Sequence, residues 1–580
     1  MKRVTAAATR SRSAYQRAIG NRSRRLIPCL LLLGLFVAAP RAHAYDPIAA
    51  RHGMVVTSEP HASEAGLAML RHGGNAVDAA VAVGFALAVT YPFAGNIGGG
   101  GFMLIRMANG QAVVIDYREE APGAASRNMY LDSQGNLIPE ASIAGARSSG
   151  VPGTVAGLAL AEQRYGKLGL ARVMAPAIRL AQRGFPVSYW LSQSLQNHQG
   201  LLSKFTNSRR IFLRNDRFYQ PGEIFRQPEL ARTLRRIARR GPRAFYRGPA
   251  ARDIVRTEKR LGGIITLADL ANYQAKARQP LEGHFRGATI LTVPPPSSGG
   301  VALIEMLNIL GPMNLGKPNS YDSMHLVIEA IRRAYADRAA YLGDTDFVSV
   351  PVQGLLSPSY ASRLRQGILN SKPDAPVGAG HPAQYESSHT THFSVIDSQG
   401  DAVSNTYTLN NGYGSGVTVD RAGFLLNDEM DDFASKPGSP NMFGLIQGEA
   451  NAIAPHKRPL SSMTPTMVLE NNQPRLVLGS PGGGTIINTV LQVILNVLVY
   501  KMDVLRAVVQ PRFHNQWMPD EVTVERSGFS ADTLSKLRQA GYHIHTVVSI
   551  GECEAIEVDP KTGWRFGAAD PRGHGEAVGY

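Results

Sequence analysis

The segment at residues 386–410 limits what this chain can fold into more than any other part of the sequence. Two runs rich in β-branched and aromatic residues, Thr391 to Ile396 and Ala402 to Leu409, flank the turn-forming residues 397–401. Gly400 supplies the turn with a residue that tolerates a positive φ. The segment therefore predicts a β-hairpin.

The register of this hairpin brings two threonines together. If the loop is Ser398 to Gly400, Asp397 faces Asp401, and counting back along the strands places Thr390 opposite Thr408. Directly opposed residues in an antiparallel pair hold their Cβ atoms about 4.5 to 5.5 Å apart, and a bulge would shift the pairing by one residue. Taken alone, such a pair is more often ordinary sheet surface than a reactive site.

Short motifs rich in glycine, proline and charged residues occur on both sides of the hairpin. They are Asn75-Ala-Val-Asp78, Gly98-Gly-Gly-Gly-Phe-Met103, Asp116-Tyr-Arg118-Glu119, Pro294-Pro-Pro-Ser-Ser-Gly-Gly300, Asn427-Asp-Glu429-Met-Asp-Asp432, Lys457-Arg-Pro-Leu-Ser461-Ser462 and Gly479-Ser-Pro-Gly482-Gly483-Gly484. In this order the hairpin and the motifs resemble the γ-glutamyltranspeptidases, a family of N-terminal nucleophile hydrolases whose precursors cleave themselves just before a threonine. The likeness runs from about Gly53 to Tyr580.

The resemblance implies both a fold and a division of the chain. The fold class is α+β, a four-layer αββα sandwich built from two subunits of one self-cleaved precursor. Cleavage between His389 and Thr390 would give a large subunit of residues 45–389 and a small, catalytic subunit of residues 390–580, which remain together as a heterodimer.

The chemistry of a threonine explains why the cleavage matters. An interior threonine hydroxyl has no base to take its proton, whereas an N-terminal threonine carries its own α-amino group, with a pKa of roughly 7.7 to 8.0. We expect Thr390 Oγ to attack the carbonyl of His389, and water to hydrolyse the resulting ester. The new amine of Thr390 would then activate the same hydroxyl, and Thr408 would orient it.

The remaining site residues follow from the resemblance, position by position. Gly482 and Gly483 would form the oxyanion hole. Read without the resemblance, their loop is an ordinary tight turn or a phosphate-binding loop. The chain lacks the complete G-x-x-x-x-G-K-[ST] motif of a phosphate-binding loop. Arg118 would bind the carboxylate of a γ-glutamyl donor, although read alone it is a surface charge. The other implied ligands are hydroxyl donors beside Arg118 and acceptors for the donor's ammonium: Ser461, Ser462, Asn410, Glu429 and Asp432.

Residues 434–448 resemble the lid loop that covers the donor in some bacterial members. Phe443 stands where those lids commonly carry a tyrosine, and it has no hydroxyl to donate to a residue such as Asn410. The balance between hydrolysis and transfer to an acceptor is therefore left open. His389 also varies in the family, which leaves the speed of processing open.

The N-terminus predicts export. Residues 1–44 contain nine Lys or Arg and no Asp or Glu, and the leucine-rich run Leu26 to Ala39 precedes Ala42-His-Ala44. We interpret this as a signal peptide cut after Ala44, so the protein is expected to be periplasmic or secreted. Ser23-Arg-Arg25 leaves the export route open. Without those nine positive charges the formal net charge falls from +16 to +7, and we infer no nucleic-acid partner.

No metal or cofactor is expected. Cys553 is the one cysteine left after residue 44, so it has no disulfide partner, and it is interpreted as a packed strand thiol. His389 and His392 lie three apart on a predicted strand and would point to opposite faces. The chain contains neither an H-E-x-x-H motif nor the G-x-S-x-G motif of a serine hydrolase.

Local patterns predict several elements that frame the site. Each is assigned from its apolar spacing and its flanking caps or turns. They are a buried helix at Ala76 to Val89 capped by Asn75, a hairpin around Asn109-Gly110 that ends at Arg118, a helix at Thr154 to Gln163 capped by its threonine, helices at Glu229 to Arg240 and Ser323 to Tyr341 with solvated basic faces, a strand at Arg475 to Leu478, and an apolar helix at Ile486 to Tyr500.

Three functions fit these observations. The first is a γ-glutamyl transferase and glutathione hydrolase, which takes glutathione and other γ-glutamyl compounds as donors and uses water, amino acids or dipeptides as acceptors. The second is an acylase for glutaryl groups, which lack the ammonium that Glu429 and Asp432 would bind. The third is a periplasmic amino-acid-binding protein, for which the threonines and the glycine pair would have no purpose.

Overall fold

A computed structural model of the chain describes residues 46–370, 372, 375–382 and 394–580. Residues 1–45, with the predicted signal peptide, lie outside the described residues. So do His389, Thr390 and the first part of the predicted hairpin.

Most strands of the described chain belong to two large sheets. In chain order the strands are β1 (Ile48–Ala50), β2 (Met54–Thr57), β3 (Gly100–Arg106), β4 (Ala112–Tyr117), β5 (Phe185–Pro186), β6 (Leu213–Arg214), β7 (Arg217–Phe218), β8 (Ile224–Phe225), β9 (Lys276–Arg278), β10 (Leu281–Phe285), β11 (Ala288–Thr292), β12 (Ser394–Ile396), β13 (Ala402–Thr408), β14 (Thr466–Glu470), β15 (Gln473–Gly479), β16 (Phe513–His514), β17 (Val522–Glu525), β18 (Ile544–Val547), β19 (Glu554–Val558), β20 (Arg565–Ala568) and β21 (Glu576–Gly579).

The helices connect these strands and cover the sheets. In chain order they are α1 (Pro60–Arg71), α2 (Ala76–Thr90), α3 (Thr154–Tyr165), α4 (Leu170–Val173), α5 (Ala175–Arg183), α6 (Tyr189–Asn197), α7 (Gln199–Ser203), α8 (Thr206–Phe212), α9 (Pro228–Arg240), α10 (Arg243–Tyr246), α11 (Pro249–Leu261), α12 (Leu267–Asn272), α13 (Gly299–Leu310), α14 (Tyr321–Tyr341), α15 (Val352–Leu355), α16 (Pro358–Asn370), α17 (Ile486–Leu498), α18 (Val504–Val509) and α19 (Ala531–Gln539).

Each large sheet has seven strands, and every neighbouring pair in it is antiparallel. The first sheet has the order β1-β20-β19-β15-β14-β11-β10, and the second has the order β21-β2-β12-β13-β3-β4-β9. In both sheets, strands from before residue 390 are hydrogen-bonded to strands from after it.

The two sheets pack face to face, and helices cover their outer faces. Because side chains alternate along a strand, Phe102 and Leu104 of β3 point between the sheets, where they join Met467 and Val477 in one buried cluster. Met103 of β3 points the other way, into a second cluster that contains α2.

The outer face of the first sheet is covered in the same way. Leu476 and Leu478 of β15 join the apolar residues of α13, α14 and α17 in a third cluster. The order of the layers is therefore helix, sheet, sheet, helix.

The predicted hairpin register is confirmed over the part that the structure describes. Ser394 pairs with Ser404, Val395 with Val403 and Ile396 with Ala402. The predicted pairing of Thr390 with Thr408 lies outside the described residues. Thr408 is the last residue of β13.

The helix α2 is confirmed, as is its cap. Asn75 Oδ1 accepts hydrogen bonds from the backbone N–H groups of Val77 and Asp78, and the Asp78 carboxylate accepts one from the N–H of Asn75. Every residue of α2 is buried. A helix that is apolar on all faces is stable only inside a protein, which explains its place beneath the second sheet.

Two details of the predicted helices are wrong. Thr154 does not cap α3: Gly153 occupies the cap position, and the Thr154 hydroxyl donates to Asn96 Oδ1 at 2.7 Å. The basic face of α14 is not solvated, because Arg332 and Arg338 are buried and bonded to other side chains. The predicted solvated face belongs to α9 alone.

Cys553 is fully buried directly before β19, and burial raises the pKa of its thiol to about 12.

Among the residues that the structure describes, no group of three or more His, Cys, Asp or Glu side chains is arranged to hold a metal ion. None of the described helices combines the length and apolar character that crossing a bilayer requires.

Candidate active site

A cavity of about 230 Å³ lies at the end of β13. Most of its polar lining comes from the segments that follow β13 and from the glycine-rich loop after β15. The sequence-predicted site residues on its wall are Thr408, Asn410, Glu429, Asp432, Phe443, Ser461, Ser462, Gly482 and Gly483. The predicted nucleophile, Thr390, lies outside the described residues.

Arg118 lies behind the cavity wall and is completely buried. It follows β4 directly, so the sheet fixes its backbone. Its guanidinium donates to Glu429 Oε1 through Nη1, to Asp432 Oδ2 through Nη2 at 2.5 Å, and to the Pro459 carbonyl through Nε at 3.1 Å. The sequence predicted an open fork for a substrate carboxylate; in this structure both arms of the fork hold carboxylates of the chain.

A third carboxyl group, that of Glu119, faces the same cation. Glu119 Oε2 lies 3.7 Å from Arg118 Nη1, and the side chain is fully buried. Burial raises the pKa of Glu119 well above its usual value, and the neighbouring Glu429 raises it further. Sequence reasoning missed Glu119, because adjacent residues of an extended strand normally point to opposite faces.

Burial also raises the pKa of Glu429, to about 7, against the opposing effect of Arg118. Three buried carboxyl groups thus surround the Arg118 guanidinium, and the buried guanidinium of Arg338 acts on one of them, Asp432, by lowering its pKa. Burial and the repulsion between neighbouring carboxylates both favour protonation within this group.

Arg338 of α14 lies behind the cavity wall and holds Ser461 and Ser462 in place. Its Nη2 donates to Ser462 Oγ at 3.1 Å, and its Nε donates to Ser298 Oγ at 2.8 Å. Ser298 Oγ in turn donates to the carbonyl of Ser461 at 2.7 Å. Sequence reasoning missed Arg338, since its helix was assigned a solvated basic face.

The Thr408 hydroxyl is held at the strand end. Its Oγ1 accepts the backbone N–H of Asn410 at 2.9 Å, and Asn410 has a positive φ of 79° that turns the chain away from the sheet. The Asn410 amide donates to the Asp428 carbonyl at 3.2 Å and lies 3.8 Å from Met442 Sδ. The residue of the lid loop that contacts the Asn410 side chain is thus Met442.

The glycine-rich loop and the lid loop touch each other. Gly482 and Gly483 have positive φ values of 133° and 55°, which other residues rarely adopt. A Cβ on Gly483 would come within 2.7 Å of Phe443 Cδ1, so a side chain there would collide with the lid. Phe443 therefore packs directly on the loop that was predicted to hold an oxyanion.

Hydrogen bonds hold the lid on both sides of Phe443. The Asn441 amide donates to Asp432 Oδ1 at 3.3 Å, and Asn441 Oδ1 accepts the N–H groups of Phe443 and Leu445. Gln516 donates to the Phe443 carbonyl at 3.2 Å. The lid is thus connected to the same carboxylate that Arg118 binds.

Comparison with known proteins agrees with this arrangement. The sequence profile described as Gamma-glutamyltranspeptidase matches residues 62–580. The glutathione hydrolase proenzyme of Escherichia coli (strain K12) is 46% identical over 533 residues, which cover 91% of this chain and 92% of that protein.

Solved structures share the architecture. The cephalosporin acylase from Bacillus halodurans superposes with a TM-score of 0.84 at 29% identity, covering 93% of this chain and 98% of that one. The Helicobacter pylori gamma-glutamyltranspeptidase gives a TM-score of 0.54 at 44% identity, covering 57% of this chain and 94% of that one. The fold is therefore the αββα sandwich of the N-terminal nucleophile hydrolases, as the sequence predicted.

Within that class, the length of the profile match and the identity to the E. coli protein decide the family. The chain belongs to the γ-glutamyltranspeptidase family.

Proposed function

We propose that this enzyme is a γ-glutamyl transferase and glutathione hydrolase that cleaves itself before Thr390. The composition of the cavity wall carries the proposal: carboxylates and hydroxyls, the Thr408 hydroxyl, and the glycine-rich loop line a single space. Binding an amino acid head, orienting a threonine and stabilising an oxyanion require these groups. The name of the E. coli relative supports glutathione as a donor.

The amino acid head of the donor enters the site as a zwitterion. Its ammonium donates hydrogen bonds to Glu429, Asp432 and the Asn410 side-chain oxygen. The carboxylate of the donor accepts hydrogen bonds from the hydroxyls of Ser461 and Ser462. It shares the Arg118 guanidinium with Glu429 and Asp432. Because a zwitterion adds no net charge, the balance of the buried cluster is preserved on binding.

Catalysis then proceeds in two acyl transfers. Thr390 Oγ attacks the γ-carbonyl while the Thr390 amine accepts the hydroxyl proton, and the oxyanion is held by the N–H groups of Gly482 and Gly483. Collapse breaks the amide C–N bond, and the amine returns the proton to the leaving peptide. Water, or the amine of an amino acid or dipeptide, next attacks the ester and releases Thr390.

The precursor is processed by the same atoms. Thr390 Oγ attacks the His389 carbonyl, and hydrolysis of the ester yields the large subunit, residues 45–389, and the small subunit, residues 390–580. Residues 1–44 act as the signal peptide, which places the heterodimer in the periplasm or outside the cell. No cofactor takes part.

A glutaryl acylase is the second candidate, since the cephalosporin acylase shares the fold. A glutaryl group has no ammonium, so it would leave Glu429 and Asp432 without a substrate partner in a buried site. We expect faster release from a γ-glutamyl anilide than from the matching glutaryl anilide. Faster glutaryl release would favour the acylase.

The first experiment is denaturing mass analysis of the mature protein with N-terminal sequencing. We expect two fragments, the smaller beginning Thr390-Thr-His-Phe, and a single chain for Thr390→Ala. Thr408→Val is the second variant, in which we expect slow processing. A wild-type protein that stays in one piece, without anilide release, would instead favour an amino-acid-binding protein.

A further inference from the structure

The charge of this protein is concentrated in one part of the chain. Residues 164–260 contain 22 Lys or Arg but five Asp or Glu, a net charge of +17 (22 − 5). Outside this segment and residues 1–44, 30 Lys or Arg face 40 Asp or Glu. The mature protein therefore combines a strongly basic segment with an acidic remainder, an asymmetry that its overall net charge conceals.

Helix α9 gathers part of this charge on one exposed face. Its apolar side chains, Leu230, Leu234 and Ile237, are buried, and the helical period places its arginines opposite them. Five arginines line a shallow recess of about 290 Å³ together with Ala244 and Pro249: Arg232, Arg235, Arg236, Arg239 and Arg240. These five residues are called the arginine face below.

The arginine face has few partners within the protein. Arg235 donates to Gln182 Oε1 at 2.6 Å, and Arg232 lies 3.9 Å from Glu229. In the described part of the chain, no carboxylate lies within 4.0 Å of Arg236, Arg239 or Arg240. Neighbouring like charges repel one another, so this arrangement favours binding of an external anion.

An exposed apolar tip adjoins the arginine face. Pro186 of β5 pairs directly with Ile224 of β8; Ile224 is 41% exposed and the nearby Tyr189 is 71% exposed. Ile224 Cγ2 and Arg226 Cγ lie side by side over Gly184. The tip thus combines aliphatic, aromatic and cationic groups.

Hydrogen bonds connect the tip to the arginine face through the end of α5. Arg226 Nε donates to the carbonyl of Arg183 at 3.0 Å. The preceding residue, Gln182, holds Arg235. The tip and the arginine face are therefore bonded to adjacent residues at the end of α5, and together they are called the docking surface below.

We propose that this surface docks the mature enzyme on a bilayer of anionic phospholipids. Guanidinium groups bind phosphate oxygens in pairs, and the recess has room for a phosphoglycerol headgroup. Cations beside exposed aliphatic and aromatic residues are typical of proteins that bind at the membrane interface. A soluble polyanion such as polyphosphate or nucleic acid would use the arginines but leave Ile224 and Tyr189 without a role.

The acidic charges of the rest of the molecule orient the protein relative to the bilayer. These charges are repelled by an anionic surface while the arginine face is attracted, so the protein approaches with α9 towards the lipid. The docking is separate from the catalytic cavity, whose lining contains none of these residues.

Vesicle co-sedimentation of the mature protein tests the proposal. At low salt we expect binding to phosphatidylglycerol vesicles, weak binding to phosphatidylcholine vesicles, and loss of binding as salt shortens the Debye length. The variant Arg236→Glu, Arg239→Glu, Arg240→Glu should bind phosphatidylglycerol at least roughly 100-fold more weakly. The same three residues changed to Gln provide a milder variant should the charge reversal impair folding.

The matched control reverses three exposed cations on other helices: Arg506→Glu, Lys536→Glu and Arg538→Glu. We expect this control to bind within a few-fold of the wild type, and Ile224→Ser with Tyr189→Ser to bind several-fold more weakly with an unchanged salt dependence. γ-Glutamyl anilide release in solution should be the same in all variants, which separates this inference from the proposed function.

Two results would overturn the proposal. One is equal binding of the arginine-face variant and the control to phosphatidylglycerol. The other is binding to polyphosphate or DNA without binding to either vesicle, which would assign the surface to a soluble polyanion.

Discussion

At the scale of single residues, the site is defined by the Arg118 guanidinium among three carboxyl groups. Arg118 and its partners Glu429 and Asp432 are 311 and 314 residues apart in sequence. The sheet brings them together, and burial then raises the pKa of Glu429 to about 7. Protonation of Glu429 thus falls within the range in which the enzyme would work.

This pKa predicts a pH dependence of ligand binding. Glu429 makes a charge-assisted hydrogen bond to an ammonium only when it is ionised, so affinity should rise as the pH increases through about 7. We expect the inhibition constant of L-glutamate to fall across this range in the wild type. In Glu429→Gln the inhibition constant of L-glutamate should be higher than in the wild type and nearly independent of pH.

Glu258→Gln is the matched control for this prediction. Burial raises the pKa of Glu258 to about 8, but this residue belongs to α11 and does not line the cavity. It should leave the pH profile of L-glutamate inhibition unchanged. An unaltered profile in Glu429→Gln would contradict the assignment of Glu429 to the ammonium.

How much of the site the sequence predicted depends on whether a residue acts through local or distant contacts. The hairpin register and the Asn75 cap depend on neighbours within a few residues, and both are confirmed. Arg338 acts on Ser462, which is 124 residues away, and Glu119 faces the distant Glu429 as well as the adjacent Arg118. No local spacing contains that information.

At the scale of elements, α9 and α14 show why a basic pattern alone does not fix an environment. Both helices carry several arginines. Those of α9 remain at the surface, whereas Arg332 and Arg338 of α14 are buried between partners supplied by other segments. The helical period predicted which residues share a face, but the packing of the layers decided which face meets solvent.

The lid loop carries a prediction of its own. Phe443→Tyr adds a hydroxyl to a side chain that lines the same cavity as Asn410, and one additional hydrogen bond contributes about 1 kcal/mol. We expect the KM for the γ-glutamyl donor to fall about fivefold, with a larger share of the ester passed to an amino acceptor because a tighter lid excludes water. Kinetics with and without the acceptor glycylglycine would measure both.

Phe443→Leu serves as the control for the lid, since it removes the ring without adding a hydroxyl. Its KM should not fall. If Phe443→Tyr and Phe443→Leu behave alike, the hydroxyl forms no bond and the lid closes by packing alone.

At the scale of the whole molecule, the layer between the two sheets is one of the buried apolar clusters that stabilise the fold. Phe102 is fully buried there. Phe102→Ala should lower the free energy of unfolding by about 3–5 kcal/mol, because it removes apolar burial and leaves a cavity. Urea unfolding of the single-chain Thr390→Ala background would measure it.

Leu137→Ala is the control for that measurement, because Leu137 is 38% exposed and packs in no layer. It should shift the free energy of unfolding by less than about 0.5 kcal/mol. A small effect of Phe102→Ala would mean that the two sheets repack without loss.

The distribution of charge also belongs to this scale. The overall net charge supported no particular partner, since the predicted signal peptide and the acidic remainder masked the basic segment. Only the placement of that segment's arginines on one surface revealed a candidate partner. Average composition alone therefore did not indicate this candidate partner.

The alternation of strands in the two sheets has a consequence for the life of the enzyme. If the chain is cut before Thr390, as proposed, each sheet still contains strands of both fragments, with β12 between β2 and β13 and β14 between β11 and β15. Thermal denaturation would release two separate polypeptides, whose refolding requires a bimolecular encounter of incomplete sheets. Inactivation of the processed enzyme should therefore be irreversible and governed by the rate of unfolding, whereas the uncut precursor refolds as a single molecule.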